Sequence, residues 1–133
     1  ESGSAADGLI LCYGGMTPHC LEAVQALRDQ EGLSLDLAVM TQLSPSPISH
    51  IQWILKEHRP RTCIFVEEAS PSGGWSSEML SRFDESAQQA PSSPPIRYLR
   101  IGGQDSIVAS SKELEAKTLP QTADIVQKIL SFF

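Results

Sequence analysis

The sequence predicts an α/β fold, a covered and mostly parallel sheet with helices on both faces. Three observations predict it. Short apolar runs alternate with segments of helical periodicity along the chain, which implies crossover units and a parallel sheet. The runs Gly8-Leu-Ile-Leu-Cys-Tyr13 and Thr62-Cys-Ile-Phe-Val66 are continuously apolar, as strands covered on both faces require. The 133 residues suffice for one domain with one sizeable core, and no internal repeat divides them.

The first strand is Gly8 to Tyr13, and Gly14-Gly15 turns the chain. Thr17-Pro18 opens a helix, with threonine suited to the N-cap and proline to the first helical position. Leu21, Val24, Ala26 and Leu27 recur at helical spacing, and Gly32 closes the helix. Residues 33–40 form the second strand, with Leu35, Leu37 and Val39 alternating. After the stiff loop Leu43-Ser-Pro-Ser-Pro47, Ser46 caps a second helix that starts at Pro47. Its apolar side is Ile48, Ile51, Trp53, Ile54 and Leu55, and Pro60 stops it. Residues 62–66 are the third strand and end in Glu67-Glu68. A glycine-containing loop, 69–74, leads to a third helix from Trp75 to about Ala87, with Met79, Leu80 and Phe83 inward. A proline- and serine-rich loop covers 88–95, and 96–101 is the fourth strand, followed by Gly102-Gly103. The stretch 106–119 is the least regular, with a short helix near Lys112. Thr122 caps a last helix with Ile125, Val126, Ile129 and Leu130 on its apolar side. Phe132-Phe133 are assigned to core or dimer packing, with a terminal docking contact as the sharper alternative.

Composition narrows the function. No apolar run approaches the roughly 20 residues that span a bilayer, so a membrane role is not expected. Residues 1–8 are small and polar, without the basic start and apolar segment of a signal peptide. They read as a linker or tail, with the domain at 9–133. A net charge of −6 and the lack of any lysine-rich run argue against nucleic acid. The odd count of 3 cysteines suggests reduced thiols and an intracellular setting, cytoplasmic or mitochondrial matrix.

In a parallel sheet, functional loops lie beyond the carboxyl ends of the strands, here from Gly14, Met40, Glu67 and Gly102. Gly14, Gly15, Thr17 and nearby His19 outline an anion or ligand site at a helix N-terminus. That reading leads to a free-standing flavodoxin-like module for a small ligand or nucleotide. The dinucleotide fingerprint needs three spaced glycines, and Pro18 removes one amide, so a tight packing turn is preferred. Glu67 and Glu68 end a strand, but neighbours in a strand point to opposite faces. Paired-carboxylate catalysis does not follow; one glutamate is expected to bond loop amides and the other to meet a subunit. His19, His50 and His58 form no close metal pattern. A Cys20 nucleophile with His19 as base is disfavoured, since neighbours on a helix diverge by about 100°.

Four segments, in order, resemble the C-terminal domain of thiamine-diphosphate-dependent 2-oxoacid dehydrogenase β subunits and transketolases. They are Leu11-Cys-Tyr-Gly-Gly-Met-Thr-Pro-His-Cys-Leu-Glu-Ala23; Leu43-Ser-Pro45; Phe65-Val-Glu-Glu-Ala69 with Gly73-Gly74-Trp75 and Glu78; and Leu119-Pro120 with Asp124-Ile125-Val126. The resemblance implies a three-layer α/β/α sandwich whose five-stranded sheet is mostly parallel with one antiparallel strand. It implies an assembly domain, not catalytic alone, of an oxidoreductase or transferase such as a pyruvate dehydrogenase β subunit. Thiamine diphosphate and magnesium would lie in other domains of the parent enzyme, with none bound by this domain. The partners implied are those other domains, a homodimer contact, and a dihydrolipoyl acyltransferase. Glu67, Glu68, Gly73, Gly74, Trp75 and Glu78 would belong to the interface. The chain departs from the family pattern at Met40-Thr41-Gln42, where Asp-Leu-Arg-Thr is common. It departs again at 90–95, which lacks the acid of the docking segment, and at 102–106.

Overall fold

The computed structural model of the chain describes residues 6–89 and 95–133. The element order is β1 (Gly8–Cys12), α1 (Met16–Glu31), β2 (Leu35–Val39), α2 (Ile48–His58), β3 (Thr62–Val66), α3 (Trp75–Gln89), β4 (Arg97–Ile101), α4 (Lys112–Thr118) and α5 (Thr122–Phe132). The strands form one sheet of order β2-β1-β3-β4, and every pairing is parallel. The chain winds outward from β1 to β2, then crosses back to β3 and β4. The ends of β1 and β3 therefore flank the topological switch point, where open parallel sheets place their sites.

Strand alternation splits the core in two. Ile10, Cys12, Ile64, Val66 and Ile101 pack on one face with Met16, Cys20, Val24 and Leu27 of α1 and Ile125 and Ile129 of α5. Leu9, Leu11, Cys63 and Phe65 pack on the other with Ile51, Ile54 and Leu55 of α2 and Met79 and Phe83 of α3. The three-layer α/β/α arrangement is as the sequence predicts.

The strand count is a correction. Among the described residues the sheet has 4 strands and no antiparallel member. The irregular stretch supplies a helix instead of a fifth strand. Ser111 accepts the amide of Leu114, and Glu113 and Glu115 lie in the first turn of α4, both of which favour a helix start.

Several caps also differ. Helix α1 begins at Met16 with Gly15 at its N-cap. The amides of Met16 and Thr17 bond the carbonyls of Tyr13 and Gly14 at 3.3 and 3.2 Å, so the turn already runs into the helix. Thr17 and Pro18 then occupy its first turn. Pro47, not Ser46, is the N-cap of α2, and the Ser46 hydroxyl points to the Met79 sulfur at 3.9 Å. That helix ends on Arg59, left-handed at φ 47°, just before Pro60. Gln121 rather than Thr122 caps α5, in a capping box with Asp124. Helix α3 runs to Gln89, two residues past the expected Ala87; the rest of the expected loop, 90–94, lies outside the described residues. Gly32 closes α1 with φ 66°, as expected.

Both terminal aromatics touch the chain, and Phe133 stays half exposed. The Arg97 guanidinium sits 4.2 Å from the centre of the Phe132 ring. Phe133 reaches the amino end of β1, where its ring lies 3.4 Å from the position a Cβ on Gly8 would take.

Candidate functional site

The carboxyl edge of β1 and β3 concentrates polar side-chain bonding to the starts of α1 and α3. Glu67 leaves β3 with its amide bonded to the carbonyl of Ile101 at 3.0 Å. Its side chain, 1% exposed, turns to the start of α3. Oε2 accepts the Trp75 amide at 2.8 Å, and Oε1 accepts the Ser76 amide at 3.2 Å and the Ser76 hydroxyl. The Tyr13 hydroxyl, from the end of β1, donates to Oε2 at 3.3 Å. A buried carboxylate thus caps α3 from a neighbouring strand end, where the helix dipole and free amides favour negative charge.

Burial, followed by the negative charge of Glu67, pushes the Tyr13 phenol up to about 12, so it remains a donor. The Trp75 ring meets Tyr13 at 5.6 Å and Phe65 at 5.8 Å, both edge-on. Its Nε1 is buried without a hydrogen-bond partner among the described residues.

Glu68 points elsewhere and is exposed. Its Oε1 accepts the Gly15 amide at 3.1 Å. With Met16 and Thr17 bonded within the turn and no amide hydrogen on Pro18, the start of α1 is satisfied by its own chain. An anion arriving at Gly14 and Gly15 must displace Glu68. Thr17 faces the Cys12 thiol at 4.0 Å, and His19 Nδ1 lies 3.1 Å from the Thr122 hydroxyl, which donates to Glu22 at 2.8 Å. The structure therefore parts His19 and the Thr17 hydroxyl from the Gly15 amide.

The interface candidates split likewise. Glu67 is interior, Gly74 and Trp75 are half-buried, and Glu68, Gly73 and Glu78 are exposed. Glu78 pairs with Arg82 at 2.6 Å. Gly15, Gly74, Gly102 and Gly103 pack closely against residues 67–70. A Cβ on Gly74 would stand 2.6 Å from the Ser70 carbonyl and 2.7 Å from both Glu67 carboxylate oxygens. One on Gly15 would strike the Glu68 carboxylate, and ones on Gly102 and Gly103 the carbonyls of Ala69 and Glu68. Only residues without a side chain let these segments approach so closely.

Sequence reasoning missed three participants, Tyr13, Ser76 and Arg100. The Arg100 Nη1 donates to the Pro71 carbonyl at 2.9 Å and to the Ser77 hydroxyl at 2.7 Å, holding the loop before α3. A serine pair directly after Gly-Gly-Trp was a usable signal for a helix start; nothing local marks Tyr13 or Arg100.

The Cys12 and Cys20 thiols shift in opposite directions, contact with Cys20 drawing the Cys12 thiol below its ordinary range. Cys12, Cys20 and Cys63 are free and buried. Contact with the Cys12 thiol, then burial, pushes Cys20 well above the ordinary thiol range, and burial pushes Cys63 up to about 12. Among the described residues no group of three or more His, Cys, Asp or Glu side chains could hold a metal ion. Among them, too, no helix is long and apolar enough to cross a membrane.

The family model described as "Transketolase, C-terminal domain" matches residues 3–125. A solved structure described as "Split gene transketolase, inactive beta4 tetramer" aligns with a TM-score of 0.69 at 24% identity, covering 96% of this chain and 39% of that one. The chain thus spans well under half the length of that relative. No curated protein matches it.

Proposed function

The chain belongs to the transketolase C-terminal domain family, and from that premise we propose that it is an assembly domain of a thiamine-diphosphate-dependent enzyme, not a catalyst by itself. The observation that carries this reading is the use of Glu67 and Glu68. Both carboxylates at the switch point bond amides of their own chain, so the edge is a rigid surface and not a set of unengaged acids and bases. The outward groups of that surface, Glu68, Gly73 and Glu78, suit contact with another chain or domain. Thiamine chemistry needs a diphosphate–metal site and a carboxylate that activates the aminopyrimidine, and in this reading both come from other domains of the parent. The neighbouring structure, itself described as an inactive tetramer, supports a role in association.

In its finer form the proposal names a 2-oxoacid dehydrogenase β subunit as parent, on the Leu43-Ser-Pro45 and Val66-Glu-Glu-Ala69 patterns. A homodimer contact then uses this edge, and a dihydrolipoyl acyltransferase is a further partner. Two measurements test the core of it. Sedimentation of the chain should show self-association that Glu68→Lys weakens, and a monomer at every concentration would count against the homodimer contact. Calorimetric titration with thiamine diphosphate and magnesium should show no saturable binding; micromolar affinity would overturn the non-catalytic role.

A further inference from the structure

We propose that the open edge of β4 receives an extended acidic segment of a partner protein as an added strand. The site lies on the far side of the sheet from β2 and does not rest on the assembly reading above.

β4 is the last strand of the sheet. Its pairing with β3 turns Arg97, Leu99 and Ile101 inward: the Arg97 amide bonds the Arg61 carbonyl, and the Ile101 carbonyl accepts the Glu67 amide. The amides and carbonyls of Tyr98 and Arg100 consequently face away from β3, as the periodicity of a parallel ladder requires. Such an edge is a template for β-addition.

Its charge selects the occupant. Arg97 lies on the α5 face, with Nη2 bonded to the Phe132 carbonyl at 2.8 Å. Arg100 lies on the α3 face and bonds only the Pro71 carbonyl and the Ser77 hydroxyl. Among the described residues neither guanidinium has a carboxylate partner. Arg61 adds a third exposed cation beside the start of β4, and Lys128 a fourth in the groove beside Leu99. One carboxylate, Asp124, lines that groove, and it is bonded to the Gln121 amide. In a chain of net charge −6, this is a local concentration of cations.

Between the arginines the edge is apolar. Tyr98 stacks on Phe83 at 5.9 Å yet stays 36% exposed, and Leu99 lines the groove against α5. Residues directly opposite on neighbouring strands share a face, so the complementary strand reads acid, apolar, apolar, acid. A second copy of this chain is a poor occupant, because edge-to-edge pairing would line up four arginines on one seam.

The test uses the isotope-labelled full chain and two capped peptides, Thr-Glu-Val-Val-Glu-Thr and its lysine counterpart Thr-Lys-Val-Val-Lys-Thr. Each peptide reads the same in either direction, so strand polarity does not decide the result. The acidic peptide should shift the Tyr98 and Arg100 amides and bind at least about tenfold more tightly, an advantage that fades with salt. The double variant R97E/R100E should reverse the preference. Equal binding of both peptides to the unaltered chain, shifts centred elsewhere, or no saturable shift would each overturn the proposal, whatever the variant's stability.

Discussion

Replacing Glu67 by alanine tests the central claim about the site. The side chain is 1% exposed and accepts from four donors: the Trp75 amide, the Ser76 amide, the Ser76 hydroxyl and the Tyr13 hydroxyl. Alanine leaves all four without their acceptor. A buried donor stripped of its partner costs about 1–3 kcal/mol, and bonds to a charged acceptor lie at the upper end. Water entering the vacated space relieves part of this, so the expected loss is about 4 kcal/mol. With a urea dependence of roughly 1.5 kcal/mol per molar for a domain of this size, the unfolding midpoint should fall by about 2.5 M. A protein with about 5–15 kcal/mol of stability survives the change but is left marginal. Glu67→Gln keeps one oxygen for Ser76, sets an amide group against the Trp75 N–H, and loses the charge at the helix start; about 2 kcal/mol is expected. Equilibrium urea unfolding followed by circular dichroism measures both. A loss under about 1 kcal/mol for Glu67→Ala would refute the claim that this carboxylate ties β1, β3 and α3 together.

Three further outcomes follow from the same geometry. Glu68→Ala removes one exposed bond to Gly15 and should cost less than about 1 kcal/mol by the same unfolding assay. Gly74→Ala places a methyl 2.6 Å from the Ser70 carbonyl and 2.7 Å from the Glu67 carboxylate oxygens; about 1–3 kcal/mol should be lost, and an unchanged midpoint would contradict the close packing. Stability should fall as pH rises from about 9 towards 12. Cys63 keeps its proton in the folded state up to about 12, while the unfolded thiol releases it near its ordinary value of 9.0. The unfolded state then binds fewer protons, and the slope is negative, at most about 1.4 kcal/mol per pH unit from this group. Tyr13, also raised to about 12, adds in the same direction. Cys63→Ala should flatten the alkaline limb of a denaturation series.

The order of elements was legible because its signals are local. A continuous apolar strand, a 3.6-residue period and a glycine or proline stop each lie within a few neighbouring residues. The strand-turn-helix units at Gly8–Glu31 and Thr62–Gln89 could therefore be read directly, as could the carboxyl edge where the site lies. The family resemblance rests on the same short segments. What escaped was the choice of particular partners between segments. The two adjacent glutamates look alike in sequence, yet one is buried under α3 and the other reaches Gly15, because the pleat sends neighbours to opposite faces and different helices wait there. His19 meets Thr122, 103 positions away, a contact that exists only once α1 and α5 share a face of the sheet. The start of α3 shows the same dependence: its amides donate to the oxygen the fold brings nearest, that of Glu67 at the end of β3. The helix in the irregular stretch is different: α4 buries no residue and rests on its own start signals, Ser111, Glu113 and Glu115. The chain by itself determined periodicity, and with it the layers; only the tertiary structure determined which polar atoms are satisfied within the chain and which edge is left open, because burial and hydrogen bonding are properties of distances that no sequence window contains.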